Sequence, residues 1–106
     1  MMQMTRMATG EVLIQVEGTF DALAARDVRA RLRALPRDAR VVVDFGRVGE
    51  FLDLGVAVMA PGLLEDQDRR VSVRGLRQHQ RRLFRYFGVD LDGLQATARD
   101  VADETC

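Results

Sequence analysis

The chain has 106 residues, 47% of them hydrophobic and 30% charged, with a formal net charge of zero. This composition is typical of one globular domain, and the balanced charge gives no overall field that would favour nucleic acid or an anionic membrane. No apolar run approaches the roughly 20 residues of a membrane span, and the N-terminus lacks the apolar core of a signal peptide. The one cysteine, Cys106, cannot form an internal disulfide, so we expect a reducing compartment, the cytoplasm.

The chain opens with two predicted strands followed by a helix. Residues 2–8 predict a short edge strand, and residues 11–17 alternate hydrophobic and polar side chains, as expected of a strand with one face more buried. Gly18 is expected to end this second strand. Asp21 is the predicted N-cap of a helix over residues 22–35, because its carboxylate can accept a hydrogen bond from a first-turn N–H. One helical stripe is expected to be buried: Ala24, Val28, Leu32 and Leu35.

The middle of the chain predicts a central strand and a second helix. The β-branched run at 40–45 is typical of a strand covered on both faces. A helix is expected over residues 54–67, with Asp53 as its N-cap. Pro61-Gly62 should kink this helix or make it restart.

The last third predicts one strand over 69–75 and two helices over 79–88 and 89–104. Gly88 is expected at the C′ position of the first of these helices. The predicted inward residues are Leu83, Phe84 and Phe87 in one helix and Leu91, Leu94, Ala98 and Val101 in the other. Strands that alternate with helices indicate an α/β fold, here one domain over 1–106 with a mixed, mostly parallel sheet of four to five strands and about four helices.

No catalytic or cofactor-binding set can be assembled from these residues. His79 is the only histidine, and Ser72, the only serine, lies in a predicted strand, which is a poor place for a nucleophile. The DFG at 44–46 resembles the protein-kinase metal motif, but the chain has no lysine and no HRD loop. Glycine-rich phosphate loops are also missing from the sequence. We therefore expect no enzyme activity, no metal and no cofactor.

Two sets of charged residues leave alternatives open. The third predicted helix carries an arginine cluster that could contact phosphates, although a solvated helix face is the favoured interpretation. The members of this cluster are Arg77, Arg81, Arg82 and Arg85. Asp21 and Asp53 could form a metal site or an acid–base pair. Their predicted capping roles and the lack of a nearby histidine favour the structural interpretation.

The order of the elements resembles the STAS domain, which is named after sulfate transporters and anti-sigma factor antagonists. The resemblance runs from about Glu11 to about Val101. It is carried by three features: Gly18-Thr19-Phe20-Asp21 entering the first helix, Asp44 ending the central strand, and the loop from Val48 to Gly55.

The resemblance implies a signature after the central strand, roughly D-S-S/A/T-G between hydrophobic residues, in which a partner kinase phosphorylates a Ser or Thr. Phe51-Leu52-Asp53 match its lead-in. In an ungapped alignment Gly55 takes the phosphoacceptor position, whereas a one-residue gap aligns Gly55 with the family glycine and deletes the acceptor. Either alignment leaves no hydroxyl in residues 48–60, so the usual phosphorylation switch is not expected here.

The resemblance implies a non-catalytic module that docks on a protein partner. Leu54 stands in place of a small polar residue on an exposed helix tip, and an apolar residue there suits protein contact. Alternatively, Leu52 and Val56 belong to the core and Leu54 is incidental. The predicted partner-binding residues are Asp21, Arg47, Glu50, Phe51, Leu52, Asp53, Leu54 and Gly55.

The implied partners are of two kinds. One is an anti-sigma factor, its kinase or a sensor assembly, and the other is the ATPase of a lipid-transporting ABC system. A homodimer is also compatible with the sequence. The alternative from a different class is a small-ligand or nucleotide binder, because helix N-termini attract anions.

Overall fold

The computed structural model describes residues 2–65 and 70–91, and the element order follows the prediction. The strands are β1 (Met2–Arg6), β2 (Val12–Phe20), β3 (Arg40–Phe51) and β4 (Arg70–Arg74), and the helices are α1 (Ala22–Ala34), α2 (Asp53–Glu65) and α3 (Gln78–Tyr86). The predicted helix over 89–104 lies almost entirely outside the described residues. The α/β class is confirmed, with three helices in the described ranges.

The four strands form one mixed sheet in the order β1-β2-β3-β4. β1 pairs antiparallel with β2, whereas β2, β3 and β4 run parallel, with Ile14 opposite Val43 and Val43 opposite Val73. Parallel strands bring their carboxyl ends to the same edge of a sheet, so the ends of β2 and β3 meet there. The predicted mixed, mostly parallel sheet is therefore confirmed.

The hydrophobic core lies between the helices and one face of the sheet. That face contributes Val12, Ile14, Val16, Val41, Val43, Phe45, Val71 and Val73, all buried. The helices contribute Ala25, Val28 and Leu32 from α1, Val56, Met59, Ala60 and Leu63 from α2, and Phe84 from α3. The predicted α1 stripe is partly wrong, because Ala25 is buried while Ala24 and Leu35 are only partly buried.

Two strands are longer than predicted. β2 does not end at Gly18 but continues to Phe20, and β3 continues to Phe51 instead of ending at Phe45. Gly18 adopts a positive φ of 76°, and the β2–β3 register shifts on both sides of Glu17 and Gly18. A glycine inside a strand often marks such an irregularity instead of an end. The predicted loop before α2 is consequently strand as far as Phe51.

α2 continues through Pro61 as one helix, so the predicted restart at Pro61-Gly62 is wrong. Proline has no N–H to donate back along the helix, so a carbonyl one turn earlier loses its partner. Arg29 of α1 reaches this region and donates from Nη1 to the carbonyl of Val58 at 3.2 Å. Its side chain lies against Gly62, where a Cβ would come 2.7 Å from Arg29 Nε. The carbonyl that Pro61 leaves without a partner is that of Ala57. Arg29 bonds to the next carbonyl along the helix and packs against Gly62, so α1 supports α2 in the same turn.

α3 is a short helix anchored at both ends. The side-chain Oε1 of Gln80 accepts a hydrogen bond from the backbone N–H of Arg77 at 2.8 Å, while Gly88 follows the helix with φ of 89°, as predicted for the C′ position. Phe84 is fully buried between these anchors.

None of the helices in the described ranges is long and apolar enough to cross a bilayer.

Candidate partner-docking site

The extended ends of β2 and β3 place two helix starts side by side. Phe20 lies opposite Phe51 in the parallel register, and the backbone N–H of Leu52 donates to the carbonyl of Phe20 at 3.0 Å. α1 begins two residues after Phe20, and α2 begins two residues after Phe51. The first turns of both helices therefore emerge from the same edge of the sheet.

An aromatic cluster supports this edge from inside. The ring centroids of Phe20 and Phe51 are 5.2 Å apart, and Phe45 packs edge-on against Phe20 at 4.9 Å. Phe84 of α3 lies 6.0 Å from Phe45 and 6.3 Å from Phe51. Aromatic pairs at these separations add stabilisation beyond buried area, so the cluster stabilises the base of the site.

The start of α1 is fixed by a side-chain cap. Asp21 Oδ1 accepts a hydrogen bond from the backbone N–H of Ala24 at 2.9 Å, which confirms the predicted N-cap. Leu23, in the first turn, points outward with 71% of its surface exposed. The α1 start therefore combines a partly buried polar bond with an exposed apolar side chain.

The start of α2 is built differently. The helix begins at Asp53 itself, so Leu52 takes the cap position that was predicted for Asp53. The backbone N–H of Gly55 donates to the carbonyl of Leu52 at 3.0 Å, and no hydrogen bond to the Asp53 carboxylate is found among the described residues. Leu54 is 61% exposed and Leu52 is 38% exposed. We call Leu23, Leu52 and Leu54, the exposed leucines at the starts of α1 and α2, the apolar tip.

Gly55 is buried directly beneath the apolar tip. A Cβ at this position would lie 2.8 Å from two ring carbons of Phe20 and 3.1 Å from the Phe20 carbonyl. Only glycine lets the first turn of α2 approach β2 this closely. Packing therefore requires glycine at position 55, whichever of the two alignments applies.

Polar residues surround the apolar tip on the strand ends. Arg47 donates from Nη1 to Glu17 Oε2 at 3.1 Å, and the hydroxyl of Thr19 donates to Glu50 Oε1 at 3.5 Å. These contacts bridge β2 and β3, the first within the register irregularity and the second after it. They leave Arg47, Glu50 and Asp53 exposed around the leucines.

The predicted site residues divide into two layers. Phe51 and Gly55 turn inward and support the site, whereas Leu52, Asp53 and Leu54 face outward. Leu23 was not predicted as a site residue, although it is a large apolar residue two positions after the predicted cap and off the buried stripe of α1.

Nothing in the described ranges groups three or more His, Cys, Asp or Glu side chains into a metal-binding arrangement.

The comparisons with known proteins agree with this fold. A family model described as "Mlab, STAS domain" matches residues 4–96, so the chain belongs to the STAS domain family. A solved structure titled as the anti-sigma factor antagonist SpoIIAA in its unphosphorylated form is 20% identical, with a TM-score of 0.61 over 96% of this chain and 99% of that chain. A search of curated proteins returned no match. The resemblance seen in the sequence is thus confirmed at the level of family and fold.

Proposed function

We propose that this domain is a non-catalytic docking module that binds a regulatory protein through the apolar tip. The observation that carries this proposal is the exposure of Leu54, 61% of its surface, at a helix start that is held rigidly. The bond between Leu52 N–H and the Phe20 carbonyl and the close contact of Gly55 with Phe20 fix the tip before any partner arrives. Apolar side chains presented on a pre-formed surface lose little conformational freedom on binding.

The surroundings of the apolar tip suit a specific protein contact. Glu50 and Asp53 are exposed next to Leu52 and Leu54, and Arg47 is engaged with Glu17. A small apolar centre with a charged rim is the general arrangement of protein interfaces. The exposed carboxylates on this rim favour a partner with basic residues opposite them.

We further propose that this docking is not switched by phosphorylation of the α2 start. Residues 48–60 contain no Ser, Thr or Tyr, so no hydroxyl is present to accept a phosphoryl group. The burial of Gly55 supports the gapped alignment, because an acceptor must be reached by a kinase and this position has no room for a side chain. In that alignment the acceptor is deleted, and Leu54 is the exposed residue of the first turn of α2.

A quantitative pull-down tests the docking surface. Wild-type protein, Leu54→Asp and Leu64→Asp are used as baits in a native lysate, and captured proteins are compared by mass spectrometry. Leu64 is the matched control, because it is also on α2 and is 39% exposed at the other end of the helix. We expect Leu54→Asp to weaken capture by about 2 kcal/mol or more, while Leu64→Asp retains it. Equal capture by all three baits would exclude the apolar tip as the interface.

The phosphorylation proposal has its own test. The captured partner is incubated with this protein and ATP, and the intact mass and peptide masses are measured. We expect no phosphate within residues 48–60. Phosphate on the exposed Thr19, combined with a change in partner affinity, would contradict an unswitched interaction.

A second candidate function follows from the same missing hydroxyl. A partner that needs no phosphorylation switch could be the ATPase of a lipid-transporting ABC system, and this domain would then be its accessory subunit. The two candidates differ in the partner's activity, which is measured as ATP hydrolysis with and without added domain. A small-ligand function predicts instead that nucleotide titration changes protein fluorescence and that Leu54→Asp leaves this response unchanged.

A further inference from the structure

A second surface, on α3, has a composition unlike the rest of the molecule. Residues 74–89 contain five arginines and no acidic residue, although arginines and acidic residues are equal in number over the whole chain. Two of these arginines have partners: Arg74 pairs with Asp44 at 3.3 Å, and Arg81 takes part in a further interaction. The other positive charges are therefore concentrated on the solvent side of the helix.

The two faces of α3 have different roles. Gln80 and Phe84, four residues apart, are buried and anchor the helix to the core. The opposite face is exposed and consists of Gln78, His79, Arg82, Arg85 and Tyr86. Residues three and four apart on a helix are neighbours, so Arg82 lies next to both Arg85 and Tyr86. We call these three residues the α3 stripe.

The α3 stripe is not satisfied within the described part of the chain. Neither the Arg82 nor the Arg85 guanidinium forms an ion pair or hydrogen bond with another described residue. Tyr86 is 82% exposed, and its ring stands perpendicular to that of Phe87 with centroids 5.3 Å apart.

We infer that the α3 stripe is a second docking surface and that it binds an acidic segment of a partner polypeptide. A guanidinium group presents N–H donors in a planar fork that matches the two oxygens of a carboxylate. Two such forks one helical turn apart can engage two carboxylates of an extended or helical segment. Arginine and tyrosine are also the residue types that contribute most energy at protein interfaces. Charge complementarity therefore determines the occupant of this surface.

A membrane fits these observations less well. The apolar side of α3 is already used in the core, where Phe84 is fully buried and Leu83 and Phe87 are partly buried. Only Tyr86 remains to contact lipid. Electrostatic attachment to anionic bilayers generally takes clusters of about four to eight basic residues. Only Arg77, Arg82 and Arg85 are left after the interactions of Arg74 and Arg81.

A peptide-binding measurement tests the inference. The probe is a fluorescein-labelled oligoglutamate peptide, its matched control is an oligoglutamine peptide of the same length, and binding is followed by fluorescence anisotropy at low salt. The test variant is the double substitution Arg82→Gln/Arg85→Gln. The control variant is Arg26→Gln/Arg33→Gln, which removes the same charge from exposed positions of α1. Melting temperatures should be equal for all proteins, because these side chains are exposed.

We expect the wild type to bind the glutamate peptide in preference to the glutamine peptide. The α3 double variant should lose affinity by about tenfold, whereas the α1 double variant should change by less than about twofold. Leu54→Asp should bind the peptide like the wild type, so failure of the apolar-tip proposal would not affect this result.

Three outcomes would overturn the inference. The wild type could fail to distinguish the two peptides, or the α1 and α3 double variants could lose affinity equally, which would indicate a non-specific charge effect. The third is tighter binding to phosphatidylglycerol-containing vesicles than to the glutamate peptide, with loss of vesicle binding in the α3 double variant. That result would assign the α3 stripe to a membrane surface.

Discussion

The starts of α1 and α2 lie at the same sheet edge and follow the same kind of sequence, yet they are held by different interactions. Asp21 precedes α1 and accepts a hydrogen bond from the Ala24 N–H. Asp53 is the first residue of α2, and no such bond to its carboxylate is found in the described part of the chain. The position of the α2 start depends instead on Gly55, which packs against the ring of Phe20.

Under the proposed docking function, this difference separates stability from partner binding at one surface. The α1 start is fixed by a local polar bond that any good capping residue could make. The α2 start is fixed by a close contact between two elements, which requires glycine and an aromatic residue on the neighbouring strand. Because the α2 backbone is positioned by Gly55, the adjacent side chain of Leu54 is free to face a partner. Substitutions at the two helix starts should therefore change the free energy of unfolding by different amounts. The two changes should also depend differently on salt concentration.

Gly55→Ser should have the largest effect. The added Cβ would lie 2.8 Å from the Phe20 ring, which is itself buried and cannot move without disturbing the aromatic cluster. Overpacking of this kind should lower the free energy of unfolding by about 2 kcal/mol, measured by chemical denaturation. Gly49→Ser is the matched control, because its Cβ would meet nothing closer than 3.9 Å. It should change stability by less than about 1 kcal/mol.

Equal stability of the two serine variants would contradict the packing role of Gly55. It would also return the ungapped alignment to consideration, since a serine side chain would then fit at this position. If the Gly55→Ser protein folds normally and the partner phosphorylates it at position 55, Gly55 is the degenerate phosphoacceptor position.

Asp21→Ala should have an intermediate effect. Loss of the hydrogen bond to Ala24 should reduce the free energy of unfolding by about 1 kcal/mol. Asp21→Asn separates capping from charge, because asparagine accepts the same hydrogen bond without a negative charge. We expect thermal and chemical denaturation to place the Asn variant close to the wild type. A loss in Asp21→Asn as large as that in Asp21→Ala would mean that charge, not capping, is what matters at this residue.

The sequence predicted most of the fold and only the outline of the site, for identifiable physical reasons. Alternating and β-branched runs located all four strands, and Asp21 and Gly88 marked helix ends correctly because capping depends on neighbouring residues alone. The extension of β3 to Phe51 was not predictable locally, since residues 46–51 gain strand structure only by pairing with the irregular end of β2. The continuity of α2 through Pro61 was missed because its support comes from Arg29, on another helix.

Asp53→Ala should have the smallest effect of the three, and its salt dependence should differ from that of Asp21→Ala. The Asp53 carboxylate lies in the first turn of α2, where the partial positive charge of the helix N-terminus stabilises a negative group. Without a hydrogen bond to a described residue, its contribution should be about 0.5 kcal/mol at low ionic strength. Asp53→Asn should lose as much unfolding free energy as Asp53→Ala. At Asp21, in contrast, the Asn variant should be close to the wild type and only the Ala variant should lose stability. In about 0.5 M NaCl the Asp53 effect should largely disappear through screening, while the Asp21→Ala effect persists, because a short hydrogen bond is little screened.

Denaturation of all four variants at both salt concentrations provides the measurement. A salt-independent loss of about 1 kcal/mol in Asp53→Ala that Asp53→Asn restores would show that Asp53 caps α2 as Asp21 caps α1.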